Sequence, residues 1–148
     1  MKPIVSRDNP RFKRLRRWAT QSRARREDGI LLLAGLRLIT ACLEAGGHLS
    51  EVLVSARGLD HPEIHAWLAA HPAIDCVQLS DAMFAEVAAT DSPSGILGVS
   101  MRPAVAAPPA FAQDCVLLDG IQDPGNVGTL LRTAAAAGIQ QALLGPDR

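Results

Sequence analysis

Residues 116–138, VLLDGIQDPGNVGTLLRTAAAAG, decide how this chain is read. Val116, Leu117 and Leu118 form an apolar run, residues 119–128 are rich in turn formers, and an alanine-rich helical segment then closes at Gly138. Strand, loop and helix in that order open a parallel α/β domain. Within the loop, Pro124 fixes φ while Gly125 and Asn126 tolerate positive φ, so Asp123-Pro124-Gly125-Asn126 reads as a turn. Asn126 or Thr129 is expected to cap the helix. Gly125 and Gly128 let backbone N–H groups approach a ligand closely, and the helix N-terminus behind them attracts negative charge. Arg132 lies one turn into the helix beside Thr133 and is the only cation between Pro103 and Asp147. A guanidinium so placed can hold a phosphate with two parallel hydrogen bonds. Spacing alone leaves two readings open: a phosphate site, or an ordinary strand–helix turn in which Arg132 meets an acid. The glycines do not follow G-x-G-x-x-G and no Lys follows Gly128, so this is neither a dinucleotide fingerprint nor a P-loop.

The net charge of zero conceals a segregation. Residues 1–26 hold ten of the fifteen Lys and Arg against one acid, Asp8, so this segment carries +9 and the remainder −9. Such asymmetry points to a polyanionic partner met by the N-terminal arm and helix. Asp8 or Asn9 caps that helix, and Pro10 suits its first turn. Phe12, Leu15 and Ala19, with Trp18 alongside, form its apolar stripe, and Trp18 reads as a core anchor rather than a base-stacking platform. Arg11, Arg14 and Arg17 fall on other faces, where they are free to meet phosphates or to pair with the acidic remainder.

Strands and helices then alternate. Apolar strands are expected at residues 30–33, 51–55, 74–79 and 96–101, and helices around Leu36–Leu43, from Pro62, and after a Ser80 cap. Gly46-Gly47 ends the first of these helices, and residues 90–95 form a turn cluster. Regular alternation implies a mainly parallel sheet between helices. Residues 103–113, PAVAAPPAFAQ, read as a semi-rigid linker. The expected organisation is a front domain over 1–102, the linker, and a second unit over 114–148.

The motif residues carry a resemblance. Leu118-Asp119, Ile121, Asp123-Pro124, Asn126-x-Gly128, Arg132-Thr133-Ala134 and Gly138 are similar to the first motif of the SpoU (TrmH-like) RNA ribose methyltransferases, of the knotted SPOUT class. Ile4-Val5-Ser6 with Asn9-Pro10 and Lys13, and Ser92-Pro93-Ser94-Gly95-Ile96, resemble the two ends of that family's substrate-binding domain. Ala34-Gly35 departs from the Glu-Gly of many relatives, so no acidic role falls on Ala34. The resemblance implies an α/β chain with an L30e-like RNA-binding front domain, followed by the first strand–helix unit of a SPOUT knot. It implies 2′-O-methylation of structured rRNA or tRNA with S-adenosylmethionine as cofactor, in a cytoplasmic homodimer formed through the catalytic domain. Arg132 and Asn126 match the family's catalytic residues, and Arg7, Arg11, Lys13, Arg14 and Arg17 become the candidate RNA contacts. The family's second and third motifs, which hold the cofactor, are absent. The expectation is therefore the front of a longer enzyme, inactive alone, with its cofactor residues and most of its dimer interface beyond this sequence. A stand-alone RNA-binding module and a nucleotide-binding α/β protein are the alternatives.

Other features speak for less. The 148 residues, 48% of them hydrophobic, are enough for one good domain and a further piece, and no apolar run nears the ~20 residues of a membrane span. Cys42, Cys76 and Cys115 are widely spaced and read as small core residues in a reducing compartment. His61 and His65 flank Glu63, but HPEIH is not HExxH and lacks a third ligand, so His61 is read as a cap and no metal is expected. Ser92, Ser94 and Ser100 have no neighbouring His–Asp arrangement for a hydrolase. Asp119 and Asp123 read as turn residues rather than paired acids.

Overall fold

The computed structural model describes residues 1–88, 94–103 and 113–145, and the chain divides into two compact units, Met1–Ala104 and Val105–Arg148. The first unit is built on a five-stranded sheet: β1 (Lys2–Ile4), β2 (Ile30–Ala34), β3 (Leu49–Ser55), β4 (Cys76–Leu79) and β5 (Ile96–Met101), in the spatial order β1-β4-β3-β5-β2. β4 pairs in parallel with β1 and with β3, whereas β5 is antiparallel to both β3 and β2. Four strands thus run one way, as alternation predicts, and β5 alone runs against them. Alternation does not encode that reversal. Seven residues separate the last helix before β5 from Ile96, enough to carry the chain back to the edge where β4 ended.

Both faces of the sheet are covered. Helices α1 (Pro10–Thr20), α2 (Ser22–Glu27) and α6 (Asp81–Ala88) share one core with Leu53, Val77, Leu97 and Val99. Helices α3 (Leu36–Glu44), α4 (Ala56–Leu59) and α5 (Pro62–Ala70) share the other with Val52, Val54 and Ile96. The period of two along β3 therefore feeds opposite cores, which is why that strand is apolar throughout its middle. In α1, Asn9 is the cap and accepts from the Arg11 N–H at 2.9 Å, with Pro10 in the first turn. Phe12, Leu15, Trp18 and Ala19 are buried, the larger ones contributing roughly 1.5–3 kcal/mol each. Trp18 is a core anchor, its Nε1–H donating to Asp28 Oδ2 at 2.6 Å. The elements β1, α2 and α4, of three, six and four residues, carry too little periodicity to be read in advance.

One close approach fixes the end of the sheet at which β3 and β4 finish. A Cβ on Gly58 would lie 2.2 Å from the Gly95 carbonyl oxygen, and Gly95 itself has φ +81°. The Gly58 N–H donates to Ser55 Oγ at 2.9 Å, and the Ser55 N–H to the Gly95 carbonyl at 3.0 Å.

The second unit is a strand–helix–strand: β6 (Cys115–Leu118), α7 (Pro124–Ala136) and β7 (Gln141–Leu144), with β6 and β7 parallel and Leu118 opposite Leu144. Two expectations change here. The cap of α7 is Asp123, whose Oδ1 accepts from the Asn126 N–H at 3.0 Å, rather than Asn126 or Thr129. A carboxylate followed by proline starts the helix three residues earlier, so Gly125, Asn126 and Gly128 belong to its first turns. Cys115, at the outer end of β6, is exposed rather than a core residue, while Cys42 and Cys76 are half-buried free thiols. The helix does close at Gly138, which has φ +83°. Leu117 and Leu144 are 68% and 60% exposed, so this small sheet keeps apolar surface uncovered. Most of the expected linker and of the 90–95 turn cluster lie outside the described residues.

Gly58→Ala should lower the unfolding free energy by about 2–3 kcal/mol, because the new methyl meets rigid backbone. Gly29→Ala, strained by φ +64° but facing open space, should lose only about 1 kcal/mol. Urea denaturation of both variants checks this, and equal losses would refute the close-packing argument.

Candidate functional site

The helix α7 gathers the motif residues on its N-terminal turns. Arg132 folds back along the helix, and its Nη2–H donates to Thr129 Oγ1 at 3.1 Å. The Thr129 hydroxyl in turn donates to the Gly125 carbonyl at 2.9 Å. A Cβ on Gly128 would stand 3.2 Å from Arg132 Nη1, so the glycine leaves room for the guanidinium. Arg132 and Asn126 are both exposed. Among the described residues no carboxylate lies within ion-pair distance of Arg132, so the reading in which it merely meets an acid is not what the structure shows. Thr129 was legible only as a candidate cap. Its part in holding Arg132 follows from the i, i+3 and i, i+4 geometry once the helix start is known.

The basic segment is partly occupied by the protein itself. Arg7 and Arg16 share Glu86, at 2.7 and 3.6 Å. Lys13 pairs with Asp8, holding that carboxyl below its usual range chiefly by a hydrogen bond. Arg17 stands 3.8 and 3.6 Å from Glu27 and Asp28. Arg14 packs over the Trp18 ring, 5.2 Å from its centre. Arg25 donates to the carbonyls of Trp18 and Ala19 and closes α1. Among the described residues, six carboxylates pair with this segment, four fewer than its ten cations. Arg7, Lys13, Arg14 and Arg17 thus keep solvent-facing positions.

For Arg11, named as a candidate RNA contact, the structure shows the other reading, pairing with acids: its guanidinium donates to Glu51 Oε2 at 2.9 Å and Asp75 Oδ2 at 2.7 Å. Glu51 is only 5% exposed. Partial burial opposes the charge on Arg11, but the hydrogen bonds and charges of Asp75 and Glu51 outweigh it and raise its pKa. The same hydrogen bond holds Asp75 below the usual carboxylate range.

His61 occupies the cap position of α5, but its side chain makes no capping bond. Among the described residues no group of His, Cys, Asp and Glu is arranged to hold a metal, and no helix is long and apolar enough to cross a membrane.

Residues 9–98 match the family model of the MRM3-like substrate binding domain. The chain belongs to this family. It is 34% identical over 145 residues to the 23S rRNA (guanosine(2553)-2′-O)-methyltransferase RlmP of Bacillus subtilis (strain 168), covering 98% of this chain and 55% of that protein. A crystal structure of an RNA 2′-O ribose methyltransferase superposes with a TM-score of 0.76 at 30% identity, over 99% of this chain and 56% of that one. The AdoMet-bound rRNA methyltransferase from Sinorhizobium meliloti gives 0.72 at 25% identity, over 99% and 55%. The chain therefore spans about half the length of these relatives. The resemblance to SpoU (TrmH-like) methyltransferases stands, as does the α/β class.

Arg11→Met leaves Glu51 buried without its cation and should cost about 3 kcal/mol, much of it recovered when Glu51→Gln is added. Calorimetric unfolding of the two single variants and the double variant tests this coupling. Asp75 ionises more readily folded than unfolded, so its contribution is complete above the unfolded pKa near ~4 and is lost as pH falls through the lower folded value. Asp75→Asn should therefore flatten the acid limb of the stability profile and leave its slope near neutrality unchanged.

Proposed function

We propose that this chain carries the RNA recognition and first catalytic motif of an S-adenosylmethionine-dependent RNA ribose 2′-O-methyltransferase. Structured RNA, rRNA by analogy with the Bacillus relative and tRNA as the other candidate, is the proposed substrate. The observation that carries this reading is the Arg132 guanidinium, held over the first turns of α7 by a hydroxyl rather than neutralised by a carboxylate. Such a group has donors left for a phosphate oxygen and for charge developing on a neighbouring ribose oxygen. Arg is not deprotonated in proteins, so its role is anion stabilisation rather than removal of the hydroxyl proton. Asn126, in the first turn of the same helix, would orient the ribose.

The front unit is read as an L30e-like substrate domain over 1–102, joined by the linker 103–113 to the start of the catalytic domain at 114–148. Arg7, Lys13, Arg14 and Arg17 are its proposed RNA contacts, while Arg11 acts through the clamp on Glu51. A homodimer in the cytoplasm completes the reading. S-adenosylmethionine is proposed for the whole protein on the strength of the AdoMet-bound relative. No residue is assigned to it.

In the complete gene product, Arg132→Ala should reduce methyl transfer to rRNA by about 10²–10³-fold, the range seen when a preorganised charge stabiliser is lost. Transfer of labelled methyl from S-adenosylmethionine measures it, with circular dichroism confirming the fold. Undiminished turnover in a folded Arg132→Ala enzyme would exclude the role.

A further inference from the structure

The five-stranded sheet ends in two edge strands that are built differently. β1 is three residues long and carries Lys2 and Pro3, a charge and a residue without an N–H, both of which discourage another strand from pairing there. β2, at the other edge, reads ILLLA, with no charge and no proline. Its pairing with β5 is regular along its whole length, so no bulge bends it away. The Gly35 N–H donates to the Ile96 carbonyl at 3.1 Å, and the Arg102 N–H to the Gly29 carbonyl at 2.6 Å. The odd-numbered residues therefore turn their backbone groups toward β5, and Ile30, Leu32 and Ala34 turn theirs outward. Among the described residues those outward groups have no backbone partner. A cavity of about 310 Å³, lined in part by Arg25, Ile30, Leu32 and Ala34, leaves open space along the strand.

The sequence of β2 is complementary to itself in the antiparallel sense. With Leu32 of one copy opposite Leu32 of another, Ile30 falls opposite Ala34, and every outward N–H and C=O of the three residues meets a partner. Leu31, 37% exposed, then falls opposite Leu33, so the register that completes the hydrogen bonds also gives the exposed leucine an apolar cross-strand neighbour. The flanks agree in sign. Carried outward, the same register sets Glu27, at the end of α2, against Arg37, at the start of α3. Arg37 is exposed and, among the described residues, has no ion pair, whereas Glu27 holds only exposed pairs with Arg17 and Arg23. The two-fold axis repeats this meeting of opposite charges on its other side. An in-register parallel pairing would instead set Glu27 beside Glu27 and Arg37 beside Arg37.

We propose that β2 is a docking edge for a second copy of this chain, the two strands pairing antiparallel about Leu32 and joining two sheets into one. The interface belongs to the first unit, is separate from the dimer contact expected of the catalytic domain, and stands independently of the RNA reading. Each copy contributes the five residues of β2, so the association is weak and depends on concentration.

The test is amide hydrogen exchange of the 148-residue chain, read by NMR over about a hundredfold range of concentration, beside sedimentation equilibrium. The amides of Ile30, Leu32 and Ala34 should exchange at least about fivefold more slowly at the high end. Those of Leu31 and Leu33, already bonded to β5, should not change. Ala34→Pro removes an outward donor without touching the ladder to β5 and should weaken self-association at least about tenfold. Arg37→Glu should weaken it about threefold, and adding Glu27→Arg should restore it. Leu117→Lys, in the second unit, should leave it unchanged. Fast exchange of the three amides at every concentration would overturn the proposal. So would slow exchange at every concentration, because the edge would then be covered within one chain. Self-association that survives Ala34→Pro, is lost with Leu117→Lys, or is not restored by the charge swap would equally overturn it.

Discussion

A carboxylate buried on the central strand governs how the basic segment sits on this protein. Glu51 lies on β3 with almost no solvent contact, and the Arg11 guanidinium reaches it from the first turn of α1. The same guanidinium binds Asp75, just ahead of β4, so one side chain ties the helix to two neighbouring strands. Removing either partner leaves a charge in a poorly hydrated site, which is far more costly than losing a surface pair. The clamp orients α1 so that Phe12, Leu15 and Trp18 enter the core. The same turn of helix leaves Lys13, Arg14 and Arg17 outside. One arginine is given to structure, and its neighbours stay available to a polyanion.

The sheet supplies a second constraint at its other end. Gly58 and Gly95 meet backbone to backbone, which brings the start of the reversed strand β5 against the turn after β3. That contact, and the departure of the chain on opposite faces after β3 and β4, leave a cavity of about 590 Å³ at this end of the sheet. Its shape is a product of topology, with the side chains adding only charge and acceptors.

Much of this was legible in the sequence, and the limits have physical causes. The stripe in α1, the strand at 96–101 and the strand–helix motif at 116–138 all carry strong local periodicity or fixed turn chemistry. β1, α2 and α4 are too short to show a period. The reversal of β5 depends on where a loop returns, which alternation does not record. The clamp joins residues 40 and 64 positions apart, and no local pattern announces such a pair. Asp123 was visible as a turn residue, but its precedence over Asn126 as a cap emerged only with the helix start. The role of Thr129 followed from the same shift.

The central claim is that the first unit meets RNA through its surplus of cations, and the salt dependence of binding tests it most directly. Affinity of the 148-residue chain for an rRNA fragment would be measured by fluorescence anisotropy from low to physiological salt. The account predicts a linear fall of log K with log salt, with a slope corresponding to about three to five neutralised phosphates. Binding that ignores salt, or no binding even at low salt, would contradict it.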